Sequence, residues 1–122
     1  MDEVLDKLAE CNRQGKAVCL CVIVKTEGAV PRHAGSKMLV FPDGETIGTV
    51  GGGGVEAEVT QAALEALRSG KPALLHYSLK AQNEGSVGVC GGEVDIYLEP
   101  FLAKPKLLVI GAGHVGKSVA KF

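Results

Sequence analysis

The sequence predicts an α/β (α+β) domain over residues 1–103, with a mixed sheet of five to six strands and two main helices. It predicts a second unit over 104–122 that shows only one strand and one glycine turn. Three observations lead there. Short apolar runs with β-branching or strict alternation recur along the chain, two segments carry helical spacing, and the 17 glycines gather in loops instead of spreading.

Asp2 to Gln14 places Val4, Leu5, Leu8 and Cys11 at helical spacing, with Asp2 to cap the start and Gly15 to stop it. Ala17 to Thr26 follows, and its Val- and Ile-rich run reads as a strand buried on both faces. Glu27 to Lys37 contains Gly28, Pro31 and Gly35 and is a loop bearing Arg32, His33 and Lys37. Met38–Phe41 and Thr46–Val50 are short strands joined by the turn Pro42-Asp43-Gly44-Glu45. Gly51, Gly52, Gly53 and Gly54 precede a helix whose apolar face is Val55, Val59, Ala62, Ala63, Ala66 and Leu67 and which ends at Ser69-Gly70. Ala73–Leu79 is a strand with Leu75, Tyr77 and Leu79 on one face, and Glu93–Glu99 is another with Val94, Ile96 and Leu98 inward. Between them, 81–92 is a polar, glycine-rich loop. Pro100 and Pro105 bracket a linker before the apolar strand Lys106–Ile110.

Composition excludes several classes. With 46% hydrophobic and 22% charged residues the chain reads as globular, and the absence of Trp leaves Val, Leu, Ile and Ala to build its core. A net charge of −1 gives no footprint for nucleic acid. No apolar run reaches the ~20 residues that span a bilayer, and Met1-Asp2-Glu3 is acidic where a signal peptide is basic. No nucleic-acid or membrane partner is expected, and the expected location is cytoplasmic, with the four cysteines reduced. Cys11, Cys19 and Cys21 fall on apolar faces and read as small buried hydrophobes, and no spacing suggests structural zinc.

Four loops carry the chemistry. Gly111-Ala112-Gly113-His114-Val115-Gly116 directly follows a strand, the context that turns G-x-G-x-x-G into a dinucleotide fingerprint rather than a plain strand–turn–helix. Gly111 would serve the tight turn, Gly113 the approach of a pyrophosphate and Gly116 the helix–strand packing of a Rossmann unit. The acidic residue expected ~20 positions further on lies beyond Phe122, so NAD(P) binding would need the rest of that unit. The chain is therefore read as incomplete, either a cut piece or half of a split protein, and the lone strand Lys106–Ile110 is expected to drive self-association.

Gly51 to Gly54 either cradle an anion on outward N–H groups or let one strand cross closely over another. Glu56, in the first helical turn, either balances the helix dipole or accepts hydrogen bonds from a heterocycle. In Gly88-Val89-Cys90-Gly91-Gly92 the thiol is sterically open, which suits a nucleophile, a redox thiol or a soft-metal ligand, against a small residue in a tight turn. Arg32, His33 and Lys37 are either solvated surface or an anion clamp in which Arg32 is a bidentate phosphate donor. The residues alone reach a site for an anionic small molecule with one available thiol, and no reaction.

The ordered set Gly28-Ala29-Val30-Pro31-Arg32, Gly35-Ser36-Lys37-Met38, Gly48-Thr49-Val50-Gly51-Gly52-Gly53, Glu56, Cys90-Gly91-Gly92 and Glu99-Pro100 resembles the N-terminal domain of the xanthine dehydrogenase accessory proteins, the XdhC/CoxI family. The resemblance continues into the turn at Gly111. It implies a factor that binds molybdenum cofactor (molybdopterin) as cargo, helps it acquire terminal sulfur, and delivers it to a molybdenum hydroxylase of the xanthine or carbon monoxide dehydrogenase type. The factor is then a chaperone and not itself the dehydrogenase. The implied partners are the apo-hydroxylase, a sulfur-donating cysteine desulfurase and further copies of the chain. Carried onto this sequence, Arg32 and the N–H groups after Gly53 would hold phosphate, Glu56 would meet the pterin edge, and Cys90, flanked by Gly91 and Gly92, would approach molybdenum. Ala29 departs from the serine usual in that stretch. Two other readings compete: an NAD(P)-dependent oxidoreductase or thiol enzyme using Cys90, and a fragment whose only activity is self-association.

Overall fold

The computed structural model describes residues 2–28, 30, 32–78 and 92–104. Helix α1 (Asp2–Gln14) ends as its sequence requires: Gly15 turns left-handed at φ +69°, its N–H bonds Asn12 O at 3.3 Å, and Lys16 N–H bonds Cys11 O at 2.9 Å. That pair of bonds satisfies carbonyls the helix leaves unpaired. Strand β1 (Val18–Glu27) follows, then β2 (Lys37–Val40) and β3 (Thr46–Gly48), joined by a hairpin closed by Gly44 N–H to Phe41 O at 2.8 Å. Helix α2 (Gly53–Ser69) stops at left-handed Gly70, whose N–H bonds Ala66 O at 2.8 Å. Strands β4 (Ala73–Ser78) and β5 (Glu93–Phe101) complete the described residues.

Among the described residues the sheet has five strands in the order β3-β2-β1-β5-β4, so the expected five strands and two helices of an α+β fold are present. Every pairing is antiparallel, where a mixed sheet was expected. The reason lies in the crossover. β3 and β4 run the same way and α2 joins them, but they occupy opposite edges with β2, β1 and β5 between, so no parallel pair forms.

β5 also runs past the expected end at Glu99 and through Pro100 to Phe101. β4 pairs β5 only as far as Leu98, so the missing Pro100 N–H costs no bond on that side, while Pro100 still lies opposite Cys19 of β1.

Alternation sorts the side chains. One face presents Cys19, Cys21, Ile23, Met38, Val40, Val94, Ile96 and Leu98, all buried against Val59, Ala63 and Ala66 of α2. The small alanines let this helix sit close to the sheet. The other face buries Val18 and Leu39 against Val4 and Cys11 of α1. Helix α1 packs on β1, β2 and β3. On the β4 part of that face Leu74 is 65% exposed.

Candidate functional site

Strand direction decides what meets at each end of the sheet. β1 and β3 finish, and β2 and β5 start, at the same end, as the opposed pairs Val22–Lys37, Met38–Gly48 and Glu27–Glu93 require. β4 finishes there too, with Ser78 opposite Glu93. The loop 28–36, the glycine run 51–54 and both flanks of 79–91 therefore belong to one end. Both helices begin there. α2 starts four residues after β3, and α1 brings Val4 so close that a Cβ built on Gly48 would stand 2.7 Å from Val4 Cγ2. Two helix N-termini, with their partial positive charge, thus point toward the glycine end.

Within this end the sharpest cluster is Thr49, Gly51 and Glu56. Gly51 N–H donates to Thr49 Oγ1 at 3.1 Å, and the same hydroxyl lies within hydrogen-bond reach of the Gly51 carbonyl and of Glu56 Oε2. Glu56 is in the first turn of α2 and half-buried, as its sequence position suggested. Its carboxylate is tied back to Thr49, seven residues earlier.

The glycines of this loop divide by cause. Gly48 is required by packing: a Cβ there would meet Lys37 O at 2.5 Å, on top of a φ of +84°. Gly53 is held at φ +53°. Gly52 and Gly54 have neither reason: among the described residues nothing lies within 4 Å of an added Cβ, and Gly52 is extended at φ −150°. Gly52 is the N-cap and supplies no side-chain bond, leaving the first N–H groups of α2 without a side-chain acceptor at that position. A serine, threonine or aspartate there would serve the helix better by roughly a few tenths of a kcal/mol. Close packing explains Gly48, which lies outside the run 51–54; among the described residues no crossing element lies against Gly52 or Gly54.

Arg32 and His33 lie exposed in the loop that leads to β2, at the glycine end, and neither forms an ion pair with another described residue. Lys37 Nζ turns back to Gly35 O at 3.0 Å. Gly92 is buried immediately before β5. Cys90, Gly91, the strand Lys106–Ile110 and the turn glycines Gly111, Gly113 and Gly116 lie outside the described residues. Cys11, Cys19 and Cys21 are buried free thiols, as their apolar spacing predicted. The Cys21 thiol is pushed up by its hydrogen bond with Cys19 and by burial; the same bond lowers Cys19 against its own burial. Among the described residues no group of His, Cys, Asp and Glu is arranged to hold a metal ion, and no helix is long and apolar enough to cross a membrane.

Two features escaped sequence reasoning. One is Thr49, whose signal was a hydroxyl residue just ahead of a helix start that lacks a capping side chain. The other is His76 on β4, whose Nδ1 is 2.5 Å from Asp95 Oδ1 and whose Nε2 is 3.2 Å from Glu93 Oε1. The Asp95 hydrogen bond is the main cause raising the His76 pKa. Pairing β4 with β5 in register would have found this cluster. A groove of about 920 Å³ lies at the opposite end, lined by Cys11, Phe41, Pro42, Ile47 and Ala103 among others, and none of the predicted site residues lines it.

Residues 11–78 match the family model described as XdhC and CoxI family, a span that includes β1 to β4, α2, Thr49 and Glu56. The chain is 35% identical over 119 residues to the Escherichia coli protein named Uncharacterized protein YqeB, covering 97% of this chain and 22% of that protein. It is 31% identical over 107 residues to the E. coli Molybdenum cofactor insertion chaperone PaoD, covering 88% of this chain and 34% of that protein. A crystal structure described as a xanthine dehydrogenase from Bacillus halodurans superposes with a TM-score of 0.68 at 29% identity, covering 80% of this chain and 29% of that one. The chain thus spans between about a fifth and a third of the length of these relatives.

Proposed function

Because this chain belongs to the XdhC and CoxI family, we propose that it is the cofactor-handling part of an accessory factor for a molybdenum hydroxylase, taking molybdenum cofactor as cargo and releasing it to the apo-enzyme. The nature of the cargo is supported by the similarity to PaoD. Its place on this chain is supported by one observation above the others. The start of α2 is bare backbone where neither φ nor crowding calls for glycine at Gly52 and Gly54. Open N–H groups at a helix start suit a phosphate oxygen, and glycine lets a ligand approach the main chain.

In this reading the N–H groups from Gly53 onward receive the cofactor phosphate, and Arg32 supplies a planar bidentate donor from the neighbouring loop. Glu56 accepts from the N–H edge of the pterin; tied to Thr49, its carboxylate has a set direction apart from the phosphate. Cys90, with Gly91 and Gly92, approaches the molybdenum as a soft ligand. The turn Gly111, Gly113 and Gly116 opens a dinucleotide-binding unit at 104–122 that would take NAD(P) once the rest of that unit is supplied. A cysteine desulfurase as sulfur source, further copies of the chain and a cytoplasmic setting belong to the same proposal.

The test incubates the purified chain with freshly released molybdenum cofactor under anaerobic, reducing conditions, then measures molybdenum and pterin co-eluting in gel filtration. Retention near one cofactor per chain, lost in Cys90→Ala, is the expected result. No retention by the unaltered chain, alone or with the remainder of a longer relative supplied, would overturn the reading.

A further inference from the structure

We infer that Thr49 is a positioning residue of the glycine loop: its hydroxyl accepts from the Gly51 N–H and donates to Glu56, so that the carboxylate is already aimed when a ligand N–H arrives. The ligand part of this inference rests on the cofactor reading above; the loop part rests on the geometry alone.

A threonine hydroxyl has one proton to donate and two lone pairs to accept with. Here one accepting site is filled by the Gly51 N–H at 3.1 Å. Two acceptors face the one proton: the Gly51 carbonyl and Glu56 Oε2. Only one can take it at a time. A bond to a carboxylate is the stronger, so without ligand the proton goes to Glu56. A carboxylate has about four acceptor sites, so Glu56 can take a pterin-type N–H while it keeps the Thr49 proton. The Gly51 N–H bond and the Glu56 bond then hold in the free and the bound chain alike, and the loop keeps its shape.

This arrangement answers a specific cost. Glu56 is half-buried, and a partly desolvated carboxylate without a donor is expensive. Thr49 keeps it partnered before binding and holds its direction while the ligand donates to it. The hydroxyl also stands in for the side-chain cap that Gly52 does not provide, since it ties the loop to the first turn of α2 from outside the helix. Valine has the shape of threonine without donor or acceptor; serine keeps both.

Two readouts test it on the whole chain: the amide hydrogen-exchange rate of Gly51, and the dissociation constant for molybdenum cofactor under anaerobic conditions. Thr49→Val should speed Gly51 exchange and weaken cofactor binding by about tenfold or more, the size of a hydrogen bond to a charged group, and Thr49→Ser should restore both. Adding Thr49→Val to Glu56→Gln should deepen the binding loss little, because the two residues act as one unit. Thr49→Ala replaces the valine variant if that variant does not fold. Unchanged Gly51 exchange in Thr49→Val overturns the loop role. Faster exchange with unchanged binding, or fully additive losses in the double variant, overturns the ligand role. Absence of binding by the unaltered chain removes the cofactor reading and the ligand role together, while the exchange rates still decide the loop role.

Discussion

The two ends of the sheet are held in different ways. At the hairpin end the turn 42–45 closes on itself: Glu45 N–H bonds Asp43 Oδ1 at 2.9 Å and Phe41 N–H bonds Glu45 O at 2.8 Å. The chain leaving β5 is fastened there as well, by Lys104 N–H to Gly15 O at 3.1 Å. At the glycine end one threonine hydroxyl and one carboxylate hold the start of α2, and Gly52, Gly53 and Gly54 have no described neighbour within 4 Å of an added Cβ. Backbone that secures its own bonds needs little from side chains. Backbone left bare at a helix start is available to something else.

The largest expected effect separates glycines that share a conformation. Gly48 and Gly44 both have positive φ, +84° and +92°, but only Gly48 is crowded. Gly48→Ala should cost about 3 kcal/mol or more, combining left-handed strain with a collision against Lys37 O that would force β2 and β3 apart. Gly44→Ala, with nothing within 4 Å, should cost about 1–2 kcal/mol from strain alone. Urea unfolding of both variants checks the difference; equal losses would mean that crowding at Gly48 is relieved by movement of Val4 and the Lys37 backbone.

A smaller effect has the opposite sign. Gly54 lies inside α2 with open space around an added Cβ, so Gly54→Ala should stabilise the chain by about 0.5–1 kcal/mol. If the bare surface serves a ligand, the same variant should retain less molybdenum cofactor. A variant that is more stable and binds equally well would make the glycine end as self-sufficient as the hairpin end.

How far these differences could be read from the sequence depends on whether their cause is local. Both helix ends were legible because Gly15 and Gly70 do what a glycine after a helix does, and each strand core was legible from alternation. The antiparallel sheet was not, because it depends on α2 carrying the chain from one edge to the other, and a crossover helix looks the same in sequence wherever its strands insert. Pro100 was read as a stop because the sequence does not show that β4 begins only opposite Leu98 and leaves Pro100 unpaired on that side. For the site, Glu56 and the glycine run were legible by position and Arg32 by residue type. Thr49 was not singled out, since its partner sits seven residues on and their meeting depends on how the loop folds back. The pairing of His76 with Asp95 and Glu93 is equally a matter of register between strands.

That cluster provides the mildest expected effect and the last contrast between the ends. The hairpin end is closed by backbone bonds and by Asp43, whereas β4 and β5 are joined toward the glycine end by an exposed histidine between two carboxylates, with Lys25 and Glu27 of β1 beside them. The Asp95 hydrogen bond raises the folded-state His76 pKa above its unfolded value of about 6.5. A raised histidine contributes stability that is fully present below the unfolded pKa and is lost as pH rises through the folded one. The chain should therefore lose a small increment of thermal stability as pH rises from about 6.5 through the raised value. His76→Gln should remove that slope, with the two proteins differing most at the acid side and converging at higher pH. If the slope survives in His76→Gln, the titrating group is elsewhere and the glycine end is no more sensitive to protons than the hairpin end.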